Sequence, residues 1–592
     1  MTLARFDDLT PGAERAFRFE DPVGVLEARL VSEVPGVLQA AEAAASRGLW
    51  AAGFVAYEAA PGLNADLAVR SRAADDPFER LPLAWFALFD RREEAEPLRA
   101  PEAAPEPPVD SPWRPSVTRR KYDASIARIH ELITAGETYQ VNHTIRLRAT
   151  IAGEDRGLYR DLCLAQRGGY AAYLEAGPYH VLSASPELFF RVEGERIATR
   201  PMKGTAPRGR WLEEDEAIVG GLVASAKDRA ENAMIVDLLR NDLGRISVPG
   251  KVIWDALFHA ERYETVWQLT STIEADLRPD TGLLDIFRAL FPSGSVTGAP
   301  KVATMRIIAS LEDSPRGVYC GAIGYLAPPG SDEPRANFNV AIRTVAVNAG
   351  SGLAEYGVGG GVTYDSSAAG EYREVLAKAR VLTAVRPAFE LFETIRFSPG
   401  EGFLHLPEHL RRMGASAAYF GFRFEDRAAL ETLEATVAGL SDDDARVRLS
   451  LSRDGSTRVD VGPAPAVADG PVRVALDDEP VDPADVWLFH KTTRRAAYDH
   501  RRAKRLDVDD VVLVNMDGEV TETTIANIAV RLEGTWVTPP REAGLLAGTY
   551  REVLLREGRL IERRMTVEEF RHAKEIALVS SVRGWREAVL VP

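Results

Sequence analysis

The chain has 592 residues, of which 45% are hydrophobic and 27% charged, and its formal net charge is −16. That length exceeds what one core can organise, so roughly two to four domains are expected. The acidic balance excludes a general nucleic-acid or anionic-membrane surface, and no apolar run reaches the ~18 residues of a membrane span. In chain order, the opening MTLARFDDLTPGAER carries acids early and no apolar core. It reads as no signal peptide, and the cytoplasm is the expected location. GFVAYEAA and LAWFALF read as short buried strands. Residues 92–115, REEAEPLRAPEAAPEPPVDSPWRP, are rich in Pro, Ala and Glu without periodicity and read as a surface excursion.

RPMKGTAPRG, 200–209, sets Lys203 between a stiff proline and a free glycine. It is either a solvated loop lysine or one held still for chemistry. KDRAENAMIVDLLRNDLGRI, 227–246, places Ala230, Met234, Ile235, Leu238 and Leu239 at helical spacing, and Asp228 and Glu231 share a face. DSSAAGEYREVLAKARVLTAV, 365–385, repeats the device with Glu371 and Glu374, and Asp365 or Ser366 is the expected N-cap. Spacing alone favours two solvated helix faces. Two such acidic pairs can also hold a hard cation such as Mg2+. FPSGSVTGAPK, 291–301, and YGVGGGVTYDSS, 356–367, are either tight turns or backbone cradles for an anion. Arg343 follows an apolar strand and can meet a carboxylate. A seam is expected near 385–390, where a charged helix ends at Pro387. Beyond it, Lys491 follows a short apolar run in LFHKTTRRAAYD, and MDGEVTETTIANIAV places Glu522 after a DG turn in strand-like alternation.

From about 120 to 386 the stretches GETYQVNHTIRL, SASPELFFR, PMKGT, KDRAENAMIVDLLRNDLGR, FPSGSVTGAPK, RGVYCGAIGY, AIRT and GVGGGVTYDSSAAGEYREVLAKA occur in order. Together they resemble the chorismate-utilising family, which includes anthranilate, isochorismate and aminodeoxychorismate synthases. The resemblance implies an α+β fold of packed antiparallel sheets flanked by helices, with the site between them. Lysine in the PxxGT motif implies amination at C4 of chorismate, with Lys203 as nucleophile and Glu187 as general acid. Gln140 stands where a water-activating lysine is found in isochorismate synthases. The resemblance also implies Mg2+ on Glu231 and Glu374 supported by Asp228 and Glu371, and substrate held by Tyr319, Arg343, Gly204, Thr205, Gly359, Gly360 and Gly361. Two departures stand out: Met202 replaces isoleucine in PIKGT, and Trp267–Gln268 stand where a histidine is often found.

Residues 387–592 resemble the fold-type-IV pyridoxal-phosphate enzymes, a two-subdomain α/β architecture that here opens abruptly at LFETIRF. The resemblance implies pyridoxal 5'-phosphate bound covalently by Lys491, with Glu522 on the ring nitrogen and Arg412, Thr549 and Ser581 on the phosphate. The implied organisation is a lead region at 1–118, a chorismate-binding domain at 119–386 and a lyase domain at 387–592. Neither Cys163 nor Cys320 sits on a glycine-flanked nucleophile turn, and both read as buried thiols. Ammonia is therefore expected from a separate glutamine amidotransferase or from solution. The combined reading is a two-step synthesis of 4-aminobenzoate. Its rivals are an anthranilate synthase joined to an aminotransferase, and a non-catalytic scaffold for a glutaminase.

Overall fold

The computed structural model describes residues 3–101, 109, 111–383, 388–438, 444–466 and 470–592. It divides into two compact units, Met1–Arg208 with Val219–Ala388, and Gly209–Ile218 with Phe389–Pro592. Much of the expected seam, including Pro387, lies outside the described residues.

The first unit is built on two ten-stranded antiparallel sheets. One face of each sheet meets the other through an aromatic layer. Phe6 and Phe17 come from one sheet and Tyr325 from the other, with ring centroids 5.2 and 5.3 Å apart. The outer face of each sheet is closed by helices. Ile126, Ile129, Leu158 and Leu162 cover one sheet, and Leu38, Ile235, Leu239 and Phe287 cover the other. Burial of these side chains is the main source of stability in such a layered arrangement. LAWFALF forms the strand Ala84–Phe89, paired in register with Trp50–Val55, but of GFVAYEAA only 53–55 is strand and Tyr57–Ala59 and Ala60–Leu63 are helical turns.

Several local expectations are corrected. The 92–115 excursion is anchored at both ends: Glu93–Ala95 pairs with Arg15–Glu20, and Arg114–Pro115 pairs with Gln140–Thr150. Residues 102–108 and 110 lie outside the described residues. The PMKGT stretch is a strand rather than a turn. Met202–Pro207 pairs with Val266–Leu277, and the register slips between Met202 and Thr205. Gly204 sits in that slip at φ +101°, where a side chain would be strained. The glycine run at 356–362 also lies in a strand, Leu353–Val362, paired along its length with Gln140–Thr150. In the helix Ala226–Gly244 the buried stripe is Asn232, Ile235, Val236, Leu239 and Leu243, rotated from the expected one. Ala230 is exposed, and Met234 and Leu238 are half-buried. The rotation follows from Asn232, whose amide donates to Lys203 O and Leu269 O and accepts from Ser271. The helix Ala368–Ala379 is capped by Ser367, not Asp365 or Ser366. Ser366 instead donates to Glu371.

The second unit contains a four-stranded antiparallel sheet and an eight-stranded mixed sheet. The helix Leu406–Phe420 packs on the first through Met413 and Ala417. Residues 510–532 form three short strands that are buried on both faces for most of their length, without the expected alternation. Trp211, from the 209–218 segment, joins the apolar cluster of Val481, Leu488, Phe489, Tyr498 and Leu513. No helix among the described residues is long and apolar enough to cross a membrane.

Candidate active sites

In the first unit a cavity of about 270 Å3 gathers residues from the strands at 202–207 and 353–362, the helices at 226–244 and 368–379, and the 293–297 loop. Its wall includes Glu187, Lys203, Gly204, Thr205, Tyr319, Arg343 and Gly359–Gly361, together with all four acids Asp228, Glu231, Glu371 and Glu374. Gln140 lies just behind the wall, buried, with both amide atoms unpartnered. A Cβ on Gly361 would fall 2.7 Å from Gln140 Nε2 and 2.7 Å from Lys203 Nζ. The glycine therefore lets the strand pass directly against both groups. A Cβ on Gly359 would strike His143 O at 2.1 Å, and one on Gly360 would meet Glu371 Oε2 at 2.9 Å.

Two lysines are set among the acids. Lys203 Nζ lies 3.5 Å from Glu231 Oε2. Lys378 Nζ lies 2.6 Å from Glu374 Oε1 and donates to Gly359 O at 2.8 Å. Burial raises Glu374, and the Lys378 charge more than reverses this, holding the carboxyl below its ordinary value. Burial raises Glu371, partly countered by the Ser366 hydroxyl. Asp228 accepts from Ser225 Oγ at 2.5 Å. The acids are thus an all-oxygen donor set suited to a hard cation, although no three metal-ligating side chains among the described residues converge tightly. Burial pushes Glu187 up to about 7, and Ser295 Oγ donates to its Oε1 at 2.6 Å. A carboxyl with that value can hold a proton near neutrality and deliver it. Arg343 sits at φ +53° and donates from Nη1 to Lys378 O at 2.7 Å. Thr205 Oγ1 donates to Gln268 Oε1 at 3.1 Å, so Gln268 borders the cavity where a histidine was a possibility.

In the second unit a cavity of about 380 Å3 is lined by Arg412, Lys491, Glu522, Thr549 and Ser581. Backbone pairing sets Lys491 beside the strand Leu391–Ser398: Phe392 N donates to Lys491 O at 3.1 Å, and Leu391 bridges Thr492. Burial, then the Arg412 charge, lowers Lys491 to about 7. Burial raises Glu522 to about 8. Tyr498 Oη donates to Glu522 Oε1 at 3.0 Å. Arg412 makes a forked contact with Glu393, 2.8 Å from Nε and 2.6 Å from Nη2. His409 bridges Glu393, through Nδ1 at 2.7 Å, and Thr549 Oγ1, through Nε2 at 3.2 Å. Burial raises Glu393, but Arg412 and His409 pull it down to about 2. Ser581 Oγ reaches Thr394 O at 3.5 Å.

Sequence reasoning missed Lys378, Ser295, Tyr498 and the Glu393–His409 pair. Lys378 carried a usable signal, since it lies four residues after Glu374 on one helix. The others had none, because their partners are distant in the chain. Both cysteines are buried free thiols. Burial raises Cys163 well above the ordinary thiol value and Cys320 to about 11.

The family model for chorismate binding enzyme matches residues 9–384, and the model for amino-transferase class IV matches 390–591. The chain belongs to the chorismate binding enzyme family and carries a class IV amino-transferase region after it. It is 43% identical over 311 residues to an aminodeoxychorismate synthase from Streptomyces griseus, covering 52% of this chain and 42% of that protein. It is 41% identical over 271 residues to aminodeoxychorismate synthase component 1 from Escherichia coli, covering 46% and 58% respectively. The chain therefore spans about half the length of these curated relatives. The crystal structure of anthranilate synthase component I from Streptococcus pneumoniae matches with TM-score 0.53 at 26% identity. That match covers 63% of this chain and 93% of the other. The α+β architecture of packed antiparallel sheets is that of this family.

Proposed function

We propose that the chain makes 4-aminobenzoate in two steps. Chorismate and ammonia give 4-amino-4-deoxychorismate and water, and that intermediate then gives 4-aminobenzoate and pyruvate. The observation that carries the first step is Lys203 Nζ in one cavity with Glu187, a carboxyl that burial raises to about 7. Lys203 Nζ attacks ring carbon C2, both ring double bonds shift, C1=C2 to C1=C6 and C5=C6 to C4=C5, and the C4 hydroxyl leaves with the proton of Glu187 as water. Ammonia then bonds to C4 and the lysine is released from C2. Arg343, Thr205 and the 359–361 backbone orient the substrate. Glu231 and Glu374, with Asp228 and Glu371, would hold Mg2+, whose charge would neutralise a substrate carboxylate.

The second cavity fits pyridoxal 5'-phosphate in its donor chemistry: a buried amine lowered to about 7, a buried carboxyl and an arginine-rich wall. Bound there, the cofactor supplies an electron sink. Glu522 would hold the ring nitrogen, steadied by Tyr498. Arg412, Thr549 and Ser581 would hold the phosphate. Lys491 Nζ, low in pKa, would take the C4 proton of the substrate and return it to the departing enolpyruvate, leaving an aromatic ring. The inert settings of Cys163 and Cys320 support a separate glutaminase as the ammonia source. So does the "component 1" in the name of the Escherichia coli relative.

The test is product identity. The purified chain, given chorismate, an ammonium salt, Mg2+ and pyridoxal phosphate, releases 4-aminobenzoate and pyruvate in equal amounts. Release of 2-aminobenzoate instead would support the anthranilate synthase reading.

A further inference from the structure

The second cavity carries more positive charge than a cofactor phosphate needs. Among the described residues, seven cationic side chains line it and one carboxylate, Glu522. Arg412, forked to Glu393, is assigned to the cofactor phosphate, and Arg495 donates to Thr524 O at 2.6 Å. Arg446, Arg502 and Arg583 are different. They come from three elements: the strand Ala445–Leu451, the last turn of the helix Ala496–Lys504, and the turn between Ile576–Ser580 and Gly584–Leu590. Among the described residues none of the three guanidiniums has a hydrogen-bonded or ion-paired partner. Their charges nevertheless act on one another. Burial lowers Arg583 first, then repulsion from Arg502 and Arg446, with Asp510 opposing. Deeper in, Arg448 stacks on Phe392, 4.0 Å from its centroid, with Nε buried and unpartnered. Three like charges opposed by one nearby carboxylate, Asp510, cost stability, and an arriving anion lowers that cost.

We infer that Arg446, Arg502 and Arg583 form a carboxylate-binding rim that selects a dianionic substrate for the second unit. One carboxylate enters toward Arg448, and the one farther from Lys491 lies across the rim. This rests on the proposed lyase reading and deepens it. An amino acid with a single carboxylate would leave the rim unpaired, so the rim is the feature that separates a dicarboxylate lyase from a general aminotransferase. A free phosphate group could satisfy the same charges, and the cofactor carries one.

The experiment uses the full chain loaded with pyridoxal phosphate and compares wild type with Arg446→Gln/Arg583→Gln. Calorimetric titration is run with isophthalate, a dicarboxylate, and with benzoate. Wild type shows an isophthalate binding event that weakens about 10- to 100-fold in the variant, the range for losing charge-assisted hydrogen bonds. Benzoate titrates equally in both. In turnover of aminodeoxychorismate, KM carries most of the loss. Isophthalate binding unchanged by the variant would overturn the inference. Loss of the cofactor's absorbance from the variant would also overturn it, by assigning the rim to phosphate. The titration needs no turnover, so a chain that releases no pyruvate would defeat the lyase reading while the rim is still read.

Discussion

Lys203 and Lys491 make an instructive pair. Lys203 stands on a bulged strand, its side chain 20% exposed, with Glu231 3.5 Å away among four acids. Lys491 stands in a cavity dominated by arginines, and burial brings it to about 7. The first cavity balances acids with lysines, so it can take a cation and an anion together. The second has a surplus of guanidiniums and suits anions alone. In the proposed mechanism the same residue type serves two tasks set by its neighbours: nucleophilic attack for Lys203, and proton transfer for Lys491.

The largest expected effect separates the two sites outright. Lys491→Ala should lower pyruvate release about 10^4-fold or more, while chorismate is still converted to aminodeoxychorismate. The near-visible absorbance of the bound cofactor should also change. Loss of chorismate consumption in that variant would show that the sites are not independent.

The next effect is smaller and depends on pH. Glu187→Gln should slow amination by about 10^2- to 10^4-fold, the usual contribution of a positioned acid. In the wild type Glu187 holds its proton below about 7. At fixed total ammonium the rate should therefore climb with pH as ammonia is freed, then lose its acid-dependent part as Glu187 ionises. At fixed free ammonia only the fall remains, and Glu187→Gln should remove it. A wild-type profile flat through pH 7 at fixed ammonia contradicts the assignment.

Weaker still is the effect of losing one metal-binding acid. EDTA should stop amination and spare the lyase step, with Mg2+ restoring the former. Glu231→Gln and Glu374→Gln should each raise the Mg2+ requirement by about tenfold, the loss of one charged oxygen ligand. Amination indifferent to chelation would reduce the four acids to partners of Lys203 and Lys378.

Much of this contrast was legible in the sequence because the motifs are local. PMKGT, the two acidic pairs and the glycine run all reach the wall of one cavity, and LFHK and TETT reach the other. What escaped depends on distant neighbours. The buried face of Ala226–Gly244 turns toward Asn232 because its amide meets backbone carbonyls at 203 and 269. The glycines at 359–361 are in a strand because Gln140–Thr150 lies beside them. Ser295 gave no sign of meeting Glu187, 108 positions earlier. The Glu393–Arg412 fork joins residues 19 apart on a strand and a helix, and only their packing reveals it.

The central claim is that Lys203 directs amination to C4 and that the chain's two chemistries are separable. Lys203→Ala, given chorismate, ammonium and Mg2+, tests it most directly, with both aminobenzoate isomers quantified and supplied aminodeoxychorismate as a control. The account predicts no 4-aminobenzoate from chorismate, with normal release of 4-aminobenzoate and pyruvate from aminodeoxychorismate. Undiminished 4-aminobenzoate formation from chorismate by this variant would contradict it.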